Sequence, residues 1–410
     1  MTTAVTSDLD RLDLGDLSLW KDGPPHEVFA RLRREAPVHW SELADYPNEA
    51  GFWSLTRADD LHRVSLDWET FSSHVGGIMV LDDFGIPLEA QQQMMISMDP
   101  PRHDRIKALF QRGFTPKRIA EHEERIRGIT NTVLDRVAGL GECDLVHDVA
   151  GPVVARVIGS FIGTPEEEDQ QYIEDTNLAL GFGDEELRPT DDAVAEMMSR
   201  SWDNTMVQIA DRRANPGDDL LSILVHAEVD GESLSEVEIF MGIGLLGAAG
   251  NDSTRSSFTS GMLGLFERPD QMELLLDDPS LITGAVEEIV RLYPAFAHFR
   301  RTATRDVEMH AQTIKAGDKV LLWYVSSNRD ESVYADPDLM DVARKPDHQA
   351  FGAGGRHFCL GAALARLELR VLLEETLRRF PDIALRGEPT RARSLFVNQL
   401  KTLPVSFTPE

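Results

Sequence analysis

The chain has 410 residues, of which 42% are apolar and 27% charged, and it carries a formal net charge of −29 at pH 7. This length fits one large domain or two to three ordinary ones, and the apolar content is enough for a sizeable core. The negative charge argues against nucleic acids and anionic membrane surfaces as partners. The two cysteines, Cys143 and Cys359, form no C-x-x-C motif, which argues against a disulfide framework and indicates a reducing cytoplasm.

The N-terminus carries no targeting signal that we recognise. Residues 1–16 are acidic and lack a basic segment followed by an apolar one. The longest nearly pure apolar run, residues 239–250, is too short to cross a bilayer. We therefore expect no membrane span, and we expect residues 1–20 to form a mobile tail.

The first hundred residues predict a small β region in a helical protein. A helix is expected over Pro25–Arg34, followed by strands at 38–40 and 51–55 around a polar turn at 45–48. Residues 76–95 are rich in glycine and methionine, which can line an adaptable apolar pocket. Ordinary core packing explains that segment equally well.

A short cationic motif follows. Pro100 and Pro101 suit a helix start, and His103 and Lys107, four residues apart, share one helical face. Two such donors suit an anion such as a carboxylate, although an isolated pair is also typical of a solvated face. Residues 118–230 read as helices that are interrupted at glycine and proline.

Ser235 and Glu238 form a capping box at the start of a long apolar helix that runs to about residue 266. Small and polar residues interrupt this helix at 248–255. A buried polar side chain is costly unless it is paired, and serine or threonine can bond to an earlier carbonyl and bend the helix. This stretch is either a polar helix–helix seam or a functional site.

The C-terminal third contains Glu288 and Arg291, which are spaced to pair on a helix. Short strands are expected at 307–309, 313–314 and 319–325, and a terminal hairpin over 384–409.

The most informative stretch runs from Phe351 to Gly361 and contains Cys359 in a glycine-rich loop. Glycines permit a positive φ or a close approach to a flat group, and residues 362–380 have helical periodicity. Cys359 therefore lies at or next to a helix N-terminus, where a thiolate is favoured. Such a thiolate is a ligand or a nucleophile; a buried structural cysteine is the other interpretation.

This loop resembles the haem-binding loop of the cytochrome P450 monooxygenases, Phe-Gly-x-Gly-x-His/Arg-x-Cys-x-Gly, with one additional residue before the cysteine. Other motifs of that family follow the expected order: His-x-x-x-Lys, Ala-Gly-x-Asp-Ser, Glu-x-x-Arg and Arg301. The resemblance extends from about residue 50 to the end. It implies a single, mainly α domain over residues 1–410 with a small β region, in which haem b lies between the long central helix and the cysteine loop.

The resemblance also assigns site residues. Cys359 is expected to be the iron ligand, in a loop that includes Phe351, Gly352 and Gly361. The expected donors to the haem propionates are His103, Lys107, Arg301 and His357. Lys107 replaces the arginine that the family usually has, and a lysine lacks the bidentate fork of arginine.

Within the long helix, Asp252 and Ser253 match the acid–alcohol pair that relays protons in the family, with Ala249 and Gly250 opening an oxygen groove. Serine replaces the usual threonine, so either Ser253 or Thr254 is expected to supply the hydroxyl. The expected substrate-contacting residues are Met79, Met95, Leu245, Ala248, Phe296, Ala297 and Val397.

The resemblance implies hydroxylation of an unactivated C–H bond in an apolar small molecule by means of O2. The extra loop residue is similar to that of bacterial hydroxylases of branched lipids, terpenoids and sterol side chains. Electrons are expected from a ferredoxin and an NAD(P)H-dependent ferredoxin reductase, and the protein is expected to be a cytoplasmic monomer. A peroxide-driven peroxygenase, a non-catalytic haem-thiolate binding protein and a cysteine-nucleophile enzyme are the alternatives.

Overall fold

The structure is a computed structural model that describes residues 9, 12–43, 46, 48–82, 86–229 and 231–410. The α-helices are α1 (His26–Glu35), α2 (Ala58–Leu66), α3 (Leu88–Gln91), α4 (Arg102–Gln111), α5 (Pro116–Glu121), α6 (Glu123–Val137), α7 (Gly151–Ile162), α8 (Asp169–Leu180), α9 (Asp191–Ala214), α10 (Leu220–Val225), α11 (Glu236–Glu267), α12 (Pro269–Asp277), α13 (Ile282–Leu292), α14 (Tyr324–Ser327) and α15 (Ala362–Arg379). Single turns of 3-10 helix occur at Leu17–Trp20, Met95–Ser97, Glu166–Glu168 and Pro279–Leu281, and a π-helix at Leu145–Ala150.

The strands are short and form small sheets. They are β1 (Val38–Ser41), β2 (Phe52–Leu55), β3 (Phe71–Ser72), β4 (Glu142–Asp144), β5 (Glu228–Val229), β6 (Glu232–Ser233), β7 (His298–Ala303), β8 (Val307–Met309), β9 (Gln312–Ile314), β10 (Lys319–Trp323), β11 (Ala384–Leu385), β12 (Thr390–Arg391), β13 (Leu400–Thr402) and β14 (Pro404–Ser406). The largest sheet has the order β1-β2-β10-β7-β3, in which only β2 and β10 are parallel, with Lys319 opposite Phe52.

The expected fold class, mainly α with a small β region, is confirmed. The C-terminus is more complex than the predicted hairpin. β11 pairs with β14 and β12 with β13, and β14 also pairs with β4. Strand β14, near the C-terminus, therefore pairs with the strand that follows α6. No local sequence pattern predicts this long-range contact.

The long helix α11 lies at the centre of the main core and contacts α7, α8, α13 and α15. The predicted capping box is present at its start: the Ser235 hydroxyl accepts the Glu238 N–H at 3.2 Å, and the Glu238 carboxylate accepts the Ser235 N–H at 2.9 Å. This cap satisfies donors that the first turn leaves unpaired. The capping box therefore defines the residue at which α11 begins.

Residues 12–20 are packed, which corrects the expected mobile tail over this part of the chain. Leu14 and Trp20 are 0% and 1% exposed. The Trp20 indole stacks on Trp323 with ring centroids 5.2 Å apart and donates to the Leu14 carbonyl at 3.0 Å. Burial of a large aromatic side chain stabilises the packed position of this segment. Residues 1–8 and 10–11 lie outside the described residues, as do parts of the predicted turn at 45–48 and Phe84.

One helical stretch, 145–162, is long and apolar enough to cross a membrane by length and composition. Its mean hydropathy is 1.4, and 72% of it is buried inside the protein. A core helix passes the same test, so the stretch is weak evidence for a membrane span.

Candidate functional site

The cysteine loop is shaped by glycines in the left-handed region. Gly352, Gly354 and Gly355 have φ values of +103°, +94° and +76°. A Cβ on Gly355 would lie 2.4 Å from the Ser65 carbonyl oxygen of α2, so this position admits no side chain. The loop closes where the Cys359 N–H donates to the Phe351 carbonyl at 2.8 Å.

Cys359 lies two residues before Gly361, the N-cap of α15, next to a helix N-terminus as predicted, and it is exposed toward a large apolar cavity. Protein surrounds the thiol on its other sides, and this burial raises its pKa above the ordinary value. The N–H groups of Gly361 and Ala362 and the positive charges of Lys107 and Arg366 act in the opposite direction. The helix N-terminus alone therefore does not make Cys359 a thiolate, because desolvation outweighs it. A metal cation bound to Sγ would lower the pKa of the thiol and so favour the thiolate.

Four basic side chains line the same cavity, namely His103, Lys107, Arg301 and His357. Lys107 and Arg301 supply the positive charge, whereas burial lowers the pKa of His103 and so favours its neutral imidazole. The rings of His103 and His357 lie 4.3 Å apart, and His357 Nε2 is 3.3 Å from the Ser73 hydroxyl. Burial lowers the pKa of His357 well below its ordinary value, and the nearby positive charges of Arg301, His103 and Lys107 lower it further. We refer to His103, Arg301 and His357 as the cationic cradle.

Arg301 lacks a matching anion within the described protein, whereas His103 Nδ1 lies 3.0 Å from Asp104 Oδ1. Arg301 is 6% exposed and donates through Nη1 to the Arg300 carbonyl at 2.8 Å, and no carboxylate of the described residues lies within ion-pair distance of it. Burial of this guanidinium lowers its pKa. A buried cation without a partner is unfavourable, so the cradle suits an anionic group of a bound molecule.

Lys107 has protein partners of its own. Its ammonium donates to the carbonyls of Arg356 and Phe358, the latter at 2.8 Å. It therefore bridges α4 to the cysteine loop on either side of His357. Three donors on one compact charge suit two carbonyls at once, which a planar guanidinium fits less well. In the structure Lys107 holds the loop, and its propionate contact stays a prediction.

Helix α11 presents Ala248, Ala249, Ser253 and Thr254 to the cavity. The Ser253 hydroxyl donates to the Ala249 carbonyl at 2.6 Å, the back-bond that the sequence suggested.

Gly250 also borders the cavity, but a Cβ there would lie 2.9 Å from Ile158 Cδ1. The glycine therefore allows α7 to pack closely against α11, and the oxygen groove at Ala249 and Gly250 stays a prediction.

Asp252 does not line the cavity in the described structure. Its carboxylate, 1% exposed, pairs with Arg255 one turn along the helix. Arg255 also donates to the side-chain oxygens of Asn177 at 2.7 Å and Gln399 at 3.1 Å. Burial raises the pKa of Asp252, and the charge of Arg255 opposes that rise. Ser253 therefore faces the cavity while the adjacent Asp252 faces Arg255, and their joint role in a proton relay stays a prediction.

Five of the seven predicted substrate contacts line the cavity: Met79, Met95, Leu245, Ala248 and Phe296. Ala297 and Val397 are wrong, because they are 1% and 0% exposed and do not reach it. In extended chain, successive side chains point to opposite faces. Phe296 and Phe396 therefore face the cavity, while the residues that follow them face the core.

Other cavity residues had no recognisable sequence pattern. The residues with polar groups on α8 and α9 are Tyr172, Asp175, Thr176, Ser201 and Thr205. Glu368 on α15 is 3% exposed and also borders the cavity; burial raises the pKa of its carboxyl well above the ordinary value. A glutamate on the apolar stripe of α15, beside Leu364 and Leu372, was the only available signal.

A cysteine that faces an apolar cavity beside a cationic cradle and a central helix defines a haem-thiolate site, because the sulfur suits iron and the cradle suits two propionates. The cytochrome P450 family model matches residues 275–392. The chain is 40% identical over 407 residues to a methyl-branched lipid omega-hydroxylase of Mycobacterium tuberculosis, covering 97% of this chain and 95% of that protein.

Two further relatives agree. A steroid C26-monooxygenase of Mycobacterium tuberculosis is 40% identical over 82% of this chain and 84% of its own length. The structure of a Mycobacterium marinum cytochrome P450 in complex with pseudoionone superposes with a TM-score of 0.89 at 34% identity, covering 95% of this chain and 97% of that one. The chain belongs to the cytochrome P450 family. It is a haem-thiolate monooxygenase that hydroxylates apolar substrates, and the family uses O2 and external electron donors.

Proposed function

We propose that this monooxygenase hydroxylates an unactivated C–H bond of a lipid, terpenoid or steroid. The observation that carries the proposal is that Cys359, the cationic cradle and Ser253 all face one cavity whose remaining lining is largely apolar. The cavity contains several methionines, Met79, Met94, Met95, Met197, Met198 and Met241, whose flexible side chains adapt to different apolar shapes. The named substrates of the relatives, a methyl-branched lipid and a steroid, fit this chemistry.

In this proposal Cys359 ligates the iron of haem b through Sγ, and the cationic cradle holds the propionates. Bound haem supplies the iron at which dioxygen is activated, with electron density donated by the thiolate. The protein contributes orientation, exclusion of water and delivery of protons. Lys107 keeps the cysteine loop in place through its two carbonyl contacts.

We assign the proton-carrying hydroxyl to Ser253, with Thr254 as the neighbouring alternative. Ser253 donates to Ala249, which leaves the lone pairs of Oγ free to accept from a solvent molecule or a substrate hydroxyl. Asp252 is assigned as the buried acid that holds the proton supply beside Arg255. Replacement of Asp252 by Asn should lower product formation per electron consumed; unchanged turnover with the natural electron donors would remove Asp252 from the relay.

Electrons are expected from other proteins. The stretch from Gly242 to Gly247 has the spacing Gly-x-Gly-x-x-Gly, but it lies inside α11 and not at a strand-to-helix turn, so it is not a dinucleotide-binding fingerprint. The two cysteines of the sequence are too few for a ferredoxin-like cluster. We propose a ferredoxin and an NAD(P)H-dependent ferredoxin reductase as donors to a soluble, cytoplasmic monomer. A peroxygenase is the second candidate, and turnover with peroxide alone at the rate of the complete system would favour it.

The first test is the absorption spectrum of the purified protein after reduction and addition of carbon monoxide. A strongly red-shifted Soret band that is lost in Cys359→Ala is expected for haem with a thiolate ligand. A colourless protein that also fails to take up added haem would refute the assignment. A second measurement is the shift of the Soret band on addition of branched lipids, terpenoids and sterols, which reports binding beside the iron.

A further inference from the structure

The part of the cavity formed by α8 and α9 differs chemically from the part beside the cysteine loop. Most of its lining is apolar, including Ala179, Leu180, Met197 and Met198. Its polar groups include Asp175 on α8 and Ser201 and Thr205 on α9. We call Asp175, Ser201 and Thr205 the acidic end of the cavity.

Asp175 is held in place by hydrogen bonds. Its Oδ1 accepts from Gln171 Nε2 at 3.0 Å and from Arg200, and its Oδ2 accepts the Ser201 hydroxyl at 3.3 Å. A carboxylate has about four lone-pair sites, so Oδ2 keeps acceptor capacity toward the cavity. The Thr205 hydroxyl is already bonded to the Ser201 carbonyl at 2.8 Å and can therefore only accept a further hydrogen bond. The acidic end thus offers acceptors.

Cations are absent from this end among the described residues that line the cavity. The lysine, arginine and histidine side chains of the lining are Lys107 and the three cradle residues, which belong to the cysteine-loop side. Arg200 is not part of the lining, its side chain is 42% exposed, and Asp175 occupies it. A substrate carboxylate would therefore meet the negative charge of Asp175 without a cation of the lining to compensate it. The Tyr172 hydroxyl of α8 is a neutral donor in the same lining, and one such hydrogen bond does not neutralise a carboxylate.

From this arrangement we infer that the substrate carries a neutral hydrogen-bond donor, such as a hydroxyl, at the end that lies against α8 and α9, and that Asp175 selects it over the corresponding carboxylate. The inference rests on the proposed function, because it assigns the cradle to haem and so removes the cradle from substrate binding. It narrows the substrate class to alcohols and hydroxylated terpenoids or steroids, and away from free fatty acids. A site built to accept a donor discriminates strongly against a group that leaves its acceptor unpaired.

The experiment compares matched alcohol and acid pairs with the same carbon skeleton: geraniol with geranic acid, farnesol with farnesoic acid, and hexadecanol with hexadecanoic acid. Dissociation constants are measured at pH 8 on the haem-loaded protein by calorimetry and by the Soret shift. We expect the alcohol of the best-binding pair to bind at least tenfold more tightly than its acid. Asp175→Asn should reverse this order, since it removes the negative charge and frees Arg200.

Two variants separate the role of Asp175 from general damage. Glu174→Gln removes an exposed carboxylate from the adjacent position of α8 and should leave the ratio unchanged. Arg200→Gln breaks the same ion pair as Asp175→Asn but keeps the negative charge, so it should not improve acid binding. An acid that binds wild type as tightly as its alcohol, alcohols that all fail to bind, or an unchanged ratio in Asp175→Asn would each overturn the inference. A reduced protein without the red-shifted carbon monoxide band would instead refute the proposed function.

Discussion

Glu288 and Arg291, one turn apart on α13, form a two-point ion pair in which both side chains are 0% exposed. Arg291 Nε lies 2.7 Å from Oε2 and Nη2 lies 2.7 Å from Oε1. Arg291 also donates to the Asn328 carbonyl at 2.8 Å, and the Asn328 side chain accepts the Gln349 N–H at 2.7 Å. The pair therefore connects α13 to the segment that leads into the cysteine loop.

Glu288→Gln should destabilise the protein by about 3–5 kcal/mol, because it leaves the Arg291 charge buried without compensation. Chemical denaturation measures this change. The matched control is Glu35→Gln, since Glu35 pairs with Arg31 at 3.2 Å on an exposed face of α1, where a loss of about 1 kcal/mol or less is expected. Equal losses of stability in the two variants would show that the buried pair contributes no more to stability than the exposed pair.

Lys107→Met tests the bridge from α4 to the cysteine loop. The substitution keeps most of the apolar stem and removes a charged donor to the Arg356 and Phe358 carbonyls. Hydrogen bonds of charged groups contribute about 1.5–3 kcal/mol, so we expect a stability loss of roughly that size and faster loss of haem to a haem-accepting protein.

The control for Lys107→Met is Lys117→Met, at an exposed lysine that forms only a surface pair with Glu121. That change should have an effect of about 0.5 kcal/mol or less. If Lys107→Met matched this control in both stability and haem retention, the loop would not depend on the bridge.

His298 predicts a pH dependence of stability. It is 0% exposed, Nδ1 lies 3.0 Å from the Leu395 carbonyl oxygen, and burial lowers its pKa from 6.5 to about 3. The unfolded chain therefore binds a proton below pH 6.5 that the folded protein rejects. The free energy of unfolding should fall as the pH drops from 6.5 toward 3, by roughly 1.4 kcal/mol per pH unit from this residue.

His298→Gln removes that titration and keeps a side chain that can donate to Leu395. The difference in unfolding free energy between wild type and this variant should shrink steadily from pH 6.5 to pH 4.5 in urea titrations. His147→Gln, at an exposed position, controls for the loss of one histidine. A difference that does not change with pH would mean that His298 binds its proton as readily in the folded protein as in the unfolded chain.

The sequence predicts those parts of the site in which spacing within one element defines the geometry, such as the capping box of Ser235 and the cysteine two residues ahead of the α15 cap. It does not predict the contacts between elements that are distant in sequence. Asp175 resembles any other acid of α8 until α9 brings Ser201 and Arg200 beside it. The direction of the Cys359 pKa likewise depends on burial, a property of the assembled fold that outweighs the local helix N-terminus.

Gly355 likewise depends on a contact between distant elements, the cysteine loop and α2. The cysteine loop approaches α2 so closely that a Cβ at Gly355 would lie 2.4 Å from the Ser65 carbonyl oxygen. Gly355→Ala should suffer both the strain of a positive φ, about 1–2 kcal/mol, and a backbone clash. We expect a greater loss of stability than from strain alone, together with a smaller haem-loaded fraction.

Gly317→Ala separates these two effects. Gly317 has a φ of +93°, and a Cβ there would meet nothing within 4 Å, so this variant should show only the strain. Thermal unfolding and the amount of red-shifted carbon monoxide complex per protein measure both variants. Because α2 contacts the cysteine loop through Ser65 and through His62, whose Nδ1 lies 2.8 Å from the Ala353 carbonyl oxygen, a displaced loop should change the spectrum as well as the stability. If Gly355→Ala lost no more stability than Gly317→Ala and kept a full complement of haem, the close contact with α2 would not be needed to hold the cysteine in place.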